Sequence, residues 1–232
     1  MIKAVLIDLD GTLVDSIPDL AAAANAMRSE LGLSELPVAQ IATFVGKGAE
    51  NLVRRTLAGN IDGKCDEAQV APALSIFRRH YHHINGTQTV VYDGVREGLR
   101  AMREQGLLLA VVTNKPLEFT LPLLEKTGLS EYFAAVVGGE CTPHKKPHPA
   151  QLLHACEQLG VTPAHTFMVG DSANDALAAR AAGCCGILIV PYGYNEGEAS
   201  HSIASDGIVP TLLNAANHIA GFNIAGFNRT RK

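Results

Sequence analysis

The chain has 232 residues, a formal net charge of −4 at pH 7 and a hydrophobic fraction of 47%. This composition supports a sizeable core and excludes a disordered chain, and the negative charge disfavours a nucleic-acid partner. No apolar run reaches the roughly 18–20 residues of a membrane span, so no membrane partner is expected. The N-terminus lacks a signal-peptide pattern and the five cysteines lack CxxC spacing, which predicts reduced thiols and a cytoplasmic protein.

Short apolar runs rich in Val, Ile and Leu recur along the chain without polar alternation, which is typical of strands buried on both faces. The runs that predict strands are 4–7, 107–112, 134–137, 166–169 and 186–190. Apolar stripes at helical spacing lie between them, for example at Val95, Leu99 and Met102. Strands that alternate with helices predict the α/β class, here a Rossmann-like doubly wound parallel sheet.

One long segment breaks this alternation. It contains no convincing strand, but it has helical patterns over 18–31, 38–44, 47–57 and 68–83. We therefore expect two domains, an inserted all-helical cap domain at 17–84 and a discontinuous α/β catalytic core at 1–16 and 85–232.

The C-terminal stretch IAGFNIAGFN, at 219–228, repeats a five-residue unit and precedes a short basic end. Two copies are too few to build a repeat protein. Chain ends are commonly frayed, so we expect residues from about 219 to 232 to form a flexible tail.

Polar side chains follow three of the predicted strands. They are Asp8, Asp10 and Thr12 after the first strand, Thr113, Asn114 and Lys115 after the second, and Asp171 and Ser172 after the third. Because ligands of open parallel sheets bind beyond the carboxyl ends of the strands, we expect these groups to meet at one edge. The loop HKKPHP, at 144–149, adds at least one lysine to the same candidate site.

The chemistry of these groups indicates a phosphoryl-transfer site. Carboxylates with few histidines suit a hard cation such as Mg²⁺, and Lys, Thr, Asn and turn amides suit a phosphoryl group. A carboxylate beside such a cation can act as a nucleophile and form an aspartyl-phosphate. A second carboxylate two residues further along can serve the leaving group as an acid and the water as a base.

The stretches DLDGTLVDS, TNK, KKPHP and GDSAND, in this order, resemble the four motifs of the haloacid dehalogenase-like superfamily of phosphatases. The resemblance spans about 1–16 and 90–195. Within the superfamily, VTNKP, KKPHPAQLL and PYGYNEGE are similar to the phosphoglycolate phosphatase family. The resemblance implies a Mg²⁺-dependent hydrolase of a small anionic phosphomonoester, with 2-phosphoglycolate the expected substrate.

The resemblance also implies residue roles. Asp8 is the expected nucleophile and Asp10 the acid and base, whose backbone carbonyl also reaches the metal. Thr113 would hold the phosphate and Lys146 would neutralise charge on the nucleophile and the phosphoryl group, so both are counted as catalytic. The expected phosphate-binding residues are Gly11, Thr113, Asn114 and Lys146, and the expected metal residues are Asp8, Asp10, Asp171 and Asp175. For Asp175, ligation through water and an orienting role both remain open.

Two features of the cap allow more than one interpretation. The turn Gly46-Lys47-Gly48 either starts a helix or forms the substrate loop of the cap, and we adopt the second, with Lys47 as a substrate contact. Arg54 is a candidate partner for a substrate carboxylate, although an exposed helix face is the alternative. The histidines at 80, 82 and 83 are interpreted as a polar face rather than a metal site.

The predicted function is therefore an aspartyl-phosphate phosphatase that converts 2-phosphoglycolate to glycolate and phosphate. Other activities of the same superfamily are the alternatives, namely a β-phosphoglucomutase-like mutase, a pyrophosphatase or a nucleotidase. A non-catalytic protein that binds a phospho-ligand is the alternative from another class. The sequence is compatible with a monomer or a homodimer.

Overall fold

The computed structural model describes the backbone of residues 1–229 and the side chains of residues 1–224. In chain order the strands are β1 (Ala4–Ile7), β2 (Val14–Asp15), β3 (Val90–Val91), β4 (Leu108–Val112), β5 (Ala135–Val137), β6 (Thr166–Gly170), β7 (Gly186–Ile189) and β8 (Gly207–Ile208). Six of them form a parallel sheet in the order β5-β4-β1-β6-β7-β8. The parallel sheet predicted from the apolar runs is confirmed.

Strand β1 lies at the centre of this sheet between β4 and β6. All four of its residues are buried, as the continuous apolar run predicted. Strand β8 and the antiparallel pair β2–β3 were not predicted, because two-residue strands are too short to show a hydrophobic period.

Helices cover both faces of the sheet. Five of the helices are α5 (Val95–Glu104), α6 (Leu117–Lys126), α7 (Ala150–Leu159), α8 (Ala173–Ala182) and α9 (Leu212–Arg229). Val5 and Ile7 pack in one apolar cluster with residues of α5, α6 and α9, and Leu6 packs in another with residues of α7 and α8. Successive side chains of β1 thus point to opposite faces of the sheet and pack into the two apolar clusters of a doubly wound fold.

Residues 17–84, all of which are described, form helices and contain no strand. These helices are α1 (Ile17–Glu30), α2 (Val38–Ala42), α3 (Ala49–Ala58) and α4 (Glu67–Ile84). They enclose an apolar cluster of their own that includes Met27, Phe77 and Tyr81, and Phe119 of α6 packs into it. We refer to this segment as the cap and to the rest of the chain as the core.

Asp19, at the start of α1, joins the two chain segments that link the cap to the core. Its buried carboxylate accepts hydrogen bonds from the backbone N–H groups of Gly86, Gln88 and Thr89 and from the hydroxyls of Thr87 and Thr89. The pairing of β2 with β3 lies at the same junction. The sequence carries no local signal for this role of Asp19, because its partners lie almost 70 residues away along the chain.

The prediction of a flexible tail from residue 219 is wrong for residues 219–224. Helix α9 continues through this segment, and Ile219 is fully buried against the sheet. The Asn223 Oδ1 accepts a hydrogen bond from the Ile2 N–H at 2.7 Å, and the Phe222 ring packs edge-on against Phe167. The repeat therefore supplies an apolar helix face, whereas residues 230–232 lie outside the described part of the chain. Within residues 1–229, every helix lacks the length or the apolar character that a membrane crossing requires.

Candidate active site

The loop after β1 brings the first group of predicted site residues to the carboxyl edge of the sheet. Asp8, Asp10 and Thr12 all lie there, and the chain turns at Gly11, whose φ is 84°. A Cβ atom at Gly11 would lie 2.5 Å from Asp171 Oδ2, so the turn packs directly against an acid of another loop. Glycine is needed here both for the left-handed backbone and for this close approach.

Asp8, Asp171 and Asp175 form one acidic cluster, in which one oxygen from each carboxylate lies within 4.8 Å of the others. Asp171 is buried after the carboxyl end of β6, and Asp175 is buried in the first turn of α8. The Asp171 carboxylate accepts hydrogen bonds from the Thr12 hydroxyl at 3.0 Å and from the Tyr194 N–H at 2.7 Å. The predicted meeting of these loops at one edge of the sheet is therefore observed.

Burial and mutual repulsion make it costly to ionise this cluster. Burial raises the pKa of Asp8 to about 8, with the attraction of Lys146 opposing the shift and the charges of Asp175 and Asp171 adding to it. Burial and the charge of Asp175 raise the pKa of Asp171 to about 7. A divalent cation would favour the ionised carboxylates, and an all-oxygen donor set suits a hard cation. The residues present thus fit a bound divalent metal.

Lys146 is the cation within this cluster. Its ammonium lies 2.8 Å from Asp8 Oδ1 and 2.7 Å from Asp175 Oδ1, and its side chain is only 2% exposed. Burial alone would lower the pKa of Lys146, but the carboxylates of Asp175 and Asp8 outweigh it and raise the pKa, so the side chain remains charged. The backbone N–H of Lys146 is in turn held by Gln151 Oε1 at 2.8 Å, a contact that sequence analysis missed.

Asp175 has a second set of partners that bears on its predicted role. Its Oδ2 accepts hydrogen bonds from the Ser172 N–H and hydroxyl, and the bond from the N–H is one half of a capping box at the start of α8. The carboxylate therefore has one oxygen committed to helix capping and the other bonded to Lys146. This arrangement supports the orienting role that was left open for Asp175.

Asp10 lies beside the acidic cluster, but its side chain is bonded elsewhere. It accepts a hydrogen bond from the Ser16 hydroxyl at 2.6 Å and is paired with the Lys115 ammonium at 3.1 Å. Lys115 is buried at the end of β4 and also donates to the Tyr81 hydroxyl of the cap at 2.7 Å. Although burial favours a lower pKa of Lys115, the nearby Asp10 and Tyr81 raise it. Lys115 was expected at this edge of the sheet without an assigned role, and Tyr81 was not predicted as a site residue.

Thr113 and Asn114 are both buried at the carboxyl end of β4, but they are placed differently. Thr113 lines the same cavity as Asp8, as expected for a phosphate-holding residue. The Asn114 amide donates to the backbone oxygens of Gly46 and Lys146, and its oxygen accepts from the Lys146 N–H. In this structure the Asn114 side chain therefore braces two loops and is not free to bind phosphate as predicted.

The two cap residues predicted to contact substrate are both engaged in ion pairs. Arg54 pairs with Glu50 and Glu67 on the exposed side of α3, away from the cavity, so the alternative of an exposed helix face is the correct one. Lys47 pairs at 2.8 Å with Glu196, a residue of the core that also pairs with Arg55. The turn at Lys47 thus joins the cap to the core. It also starts a helix, as the alternative interpretation had it, because Gly48 is the N-cap residue of α3, and its glycines Gly46 and Gly48 line the cavity.

A cavity of about 50 Å³ lies between the cap and the core, which is several times the space that one water molecule needs. Its polar floor consists of residues from the core, and its walls are apolar residues, most of them from the cap. The residues that concern the site are Asp8, Asp10, Thr113 and Lys115 on the floor and Leu20, Val45, Leu52, Phe77, Tyr81 and Phe119 on the walls. Asp8 and Asp10 also line an adjoining polar recess with Asp171, so these two acids border both the cavity and the recess.

The chain matches known proteins over most of its length. The family model for haloacid dehalogenase-like hydrolases matches residues 2–183. The phosphoglycolate phosphatase of Nitrosospira multiformis is 51% identical over 218 residues, which cover 94% of this chain and 96% of that protein. The phosphoglycolate phosphatase of Thiobacillus denitrificans is 46% identical, with coverages of 93% and 94%.

Solved structures agree with these matches. The crystal structure of a predicted phosphoglycolate phosphatase from Haemophilus somnus has a TM-score of 0.87 and 32% identity, covering 94% of this chain and 98% of that one. Both the sequence match and the structural match extend across the cap as well as the core. The chain belongs to the haloacid dehalogenase-like hydrolase family.

Proposed function

We propose that this protein is a Mg²⁺-dependent phosphatase that hydrolyses 2-phosphoglycolate to glycolate and phosphate. The observation that carries the proposal is that Asp8 belongs to the acidic cluster, contacts the Lys146 ammonium and lines the cavity. The substrate assignment rests on relatives that are 40–51% identical and are named phosphoglycolate phosphatase.

In the proposed reaction the Asp8 carboxylate attacks the phosphorus atom and forms an aspartyl-phosphate while the bond to the leaving oxygen breaks. Asp10, two residues further along the same loop, donates a proton to the departing alkoxide. Asp10 then removes a proton from the water that attacks the aspartyl-phosphate, and phosphate and the Asp8 carboxylate are regenerated. A Mg²⁺ ion held by Asp8, Asp171 and the backbone carbonyl of Asp10 would offset the charge of the phosphoryl oxygens.

Other residues of the site serve binding and orientation in this proposal. Lys146 offsets negative charge on Asp8 and on the phosphoryl group, and Asp175 orients Lys146. Thr113 and the backbone at Gly11 hold the phosphoryl oxygens. The apolar walls of the cavity exclude bulk water from the reacting atoms, which favours phosphoryl transfer to Asp8 before water attacks.

The test is a phosphate-release screen with the purified chain over small phosphomonoesters, a nucleotide and pyrophosphate. We expect 2-phosphoglycolate to be preferred with Mg²⁺ present, and we expect activity to disappear with EDTA and return when Mg²⁺ is restored. Asp8→Asn serves as the inactive control, because it retains the size of the side chain but not the nucleophile. A preference for pyrophosphate or a nucleotide would contradict the substrate assignment, and release of an isomerised sugar phosphate without free phosphate would indicate a mutase.

The reaction takes place on a small anionic molecule, and the proposal requires no nucleic-acid or membrane partner. The five cysteines are free thiols in the structure, which fits the proposed cytoplasmic location.

A further inference from the structure

Lys115 occupies an unusual position for a lysine, because its ammonium lies inside the cavity rather than in solvent. The residue is only 6% exposed and lines the cavity floor next to Asp10. The proposed hydrolysis already has a buried lysine, Lys146, bonded to Asp8. The mechanism given above therefore does not explain why another charged group is buried on the opposite side, toward the cap.

The contacts of Lys115 leave one hydrogen-bond donor free at the cavity, and this donor belongs to Tyr81. The Lys115 ammonium is bonded to both oxygens of the Asp10 carboxylate, at 3.1 and 3.2 Å, and to the Tyr81 oxygen at 2.7 Å. Because Tyr81 accepts this hydrogen bond, its own O–H remains available as a donor, and among the described residues no acceptor is bonded to it. Lys115 and Tyr81 thus present a positive charge and a hydroxyl donor side by side.

The surroundings of this pair strengthen its selectivity for an anion. The walls beside it are Leu20, Val45, Leu52, Phe77 and Phe119, which exclude water and lower the local dielectric. The N-terminus of α3 also lies at the cavity, where Gly48 and Ala49 form part of the lining. The N-cap residue Gly48 has no side chain that could cap this helix end, and Glu50 lies in its first turn.

The distance to the reacting centre fits a very short acid. Asp10, the proposed proton donor to the leaving oxygen, is itself bonded to Lys115. In a 2-phosphoglycolate molecule a single methylene separates that leaving oxygen from the carboxyl carbon. A substrate whose leaving oxygen contacts Asp10 would therefore place its carboxylate beside the Lys115 ammonium.

We propose that Lys115 and Tyr81 form the subsite that recognises the carboxylate of the substrate, and that Lys115 determines specificity for a phosphorylated short-chain acid. This inference rests on the proposed phosphatase function and deepens it. A phosphomonoester without the carboxylate leaves the buried Tyr81 hydroxyl without an acceptor and brings no negative charge to the Lys115 ammonium, and a buried polar site rejects such a ligand strongly.

The test compares 2-phosphoglycolate with ethyl phosphate, which has the same chain length but a methyl group in place of the carboxylate. The ratio of kcat/KM for the two substrates is measured in the wild type, in Lys115→Met and in the matched control Lys64→Met, an exposed lysine of the cap. We expect Lys115→Met to reduce the ratio by about tenfold or more and Lys64→Met to leave it unchanged. If Lys115→Met also displaces the Asp10 carboxylate, the hydrolysis of both substrates slows to the same extent, and this effect cancels in the ratio of the two kcat/KM values.

Binding provides a readout that does not need turnover. Calorimetric titration of Asp8→Asn and of Asp8→Asn/Lys115→Met with both phosphoesters is expected to show about tenfold weaker binding of 2-phosphoglycolate in the double variant. The affinity for ethyl phosphate should stay the same. Lys115→Gln, which retains hydrogen bonding without the charge, replaces Lys115→Met if the latter does not fold.

The possible results separate this inference from the function on which it rests. Equal losses for both substrates in kcat/KM and in affinity would overturn the carboxylate subsite while the phosphatase function stands. A wild-type protein that releases phosphate from neither substrate would contradict the proposed function, and the subsite with it.

Discussion

The Lys146 ammonium lies 2.8 Å from the Asp8 carboxylate, within a buried group of three acids at the carboxyl edge of the sheet. The pair brings together residues that are 138 positions apart in the chain. Lys146 also contacts Asp175, so one cation offsets two buried carboxylates. Its removal should affect both the reaction and the fold.

Lys146→Met is expected to lower kcat by at least about 100-fold, because charge on the nucleophile and the phosphoryl group is no longer offset. The variant should also lose about 3–5 kcal/mol of unfolding free energy without metal, since it leaves buried carboxylates without their partner. Steady-state kinetics and urea unfolding measure the two effects. The adjacent Lys145→Met is the matched control, and a comparable loss of kcat there would contradict the assignment of Lys146.

The metal-free protein should become less stable between about pH 4 and pH 8 through Asp8 and Asp171. Their pKa values of about 8 and about 7 lie above the ordinary value of 3.8, so the folded protein retains protons that the unfolded chain releases. The free energy of unfolding contributed by these groups therefore falls as the pH rises through this range.

Two thermal melting series check this pH dependence. With EDTA, Asp171→Asn should melt at a higher temperature than the wild type at pH 8, and the difference should vanish near pH 4. With Mg²⁺, the wild type should gain more stability at pH 8 than at pH 5, because the metal binds the ionised carboxylates. An Asp171→Asn variant that is less stable than the wild type at pH 8 in EDTA would contradict the conclusion that ionising the acidic cluster is costly.

Gly11→Ala is expected to lower both activity and stability. The added Cβ atom would lie 2.5 Å from Asp171 Oδ2 and the φ of 84° is unfavourable for alanine, so the acid must move or the turn must change. We expect a loss of about 2–4 kcal/mol in unfolding free energy and a large loss of kcat. Gly106→Ala is the matched control, since its φ is 77° but nothing lies within 4 Å of its added Cβ. Equal losses of stability and activity in the two variants would show that the positive φ alone, and not the contact with Asp171, is responsible.

Asp19→Ala is expected to destabilise the junction between cap and core by about 2–4 kcal/mol, because it leaves several buried donors without an acceptor. Burial by itself raises the pKa of Asp19, but hydrogen bonds from Thr89, Gln88, Thr87 and Gly86 outweigh it and hold the pKa below its ordinary value. The stability that this carboxylate contributes is therefore present above the pKa of an unfolded aspartate and is lost as the pH falls.

Chemical unfolding of Asp19→Ala at pH 7 and at pH 3 measures this contribution, with the exposed Asp62→Ala as control. The difference from the wild type should be smaller at pH 3. A difference that stays constant with pH would show that packing rather than the charge of Asp19 is responsible.

Much of the site was predictable because its residues lie in local motifs at the ends of apolar strands. The continuous apolar pattern of residues 4–7 predicts a strand buried on both faces, and a parallel sheet brings its strand ends to one edge. Asp8 and Asp171 could therefore be placed together from the sequence, whereas the choice of Lys146 from the loop at 144–149 came from the resemblance to the family. The resemblance to the family then supplied the expected role of each.

Other residues could not be placed, because their roles depend on which distant side chain they meet. Lys115 could be placed at the edge of the sheet, but its contacts with Asp10 and with Tyr81 of the cap could not be predicted. Lys47 carries the charge expected of a substrate contact, but it pairs with Glu196, which lies 149 positions away in the chain. A local pattern reports the chemistry of a side chain and says nothing about its partner.

The amino-acid sequence by itself determined the parallel α/β core, the helical insert and the acids carried on the loops after β1 and β6. These features follow from hydrophobic period and from the geometry of strand ends, which depend on neighbours in the chain. Only the tertiary structure decided that Asn114 braces two loops, that residues 219–224 pack as a helix and that a lysine of the core meets a tyrosine of the cap. Those outcomes depend on burial and on pairing between distant segments, because a buried polar group must find its partner wherever the fold brings one.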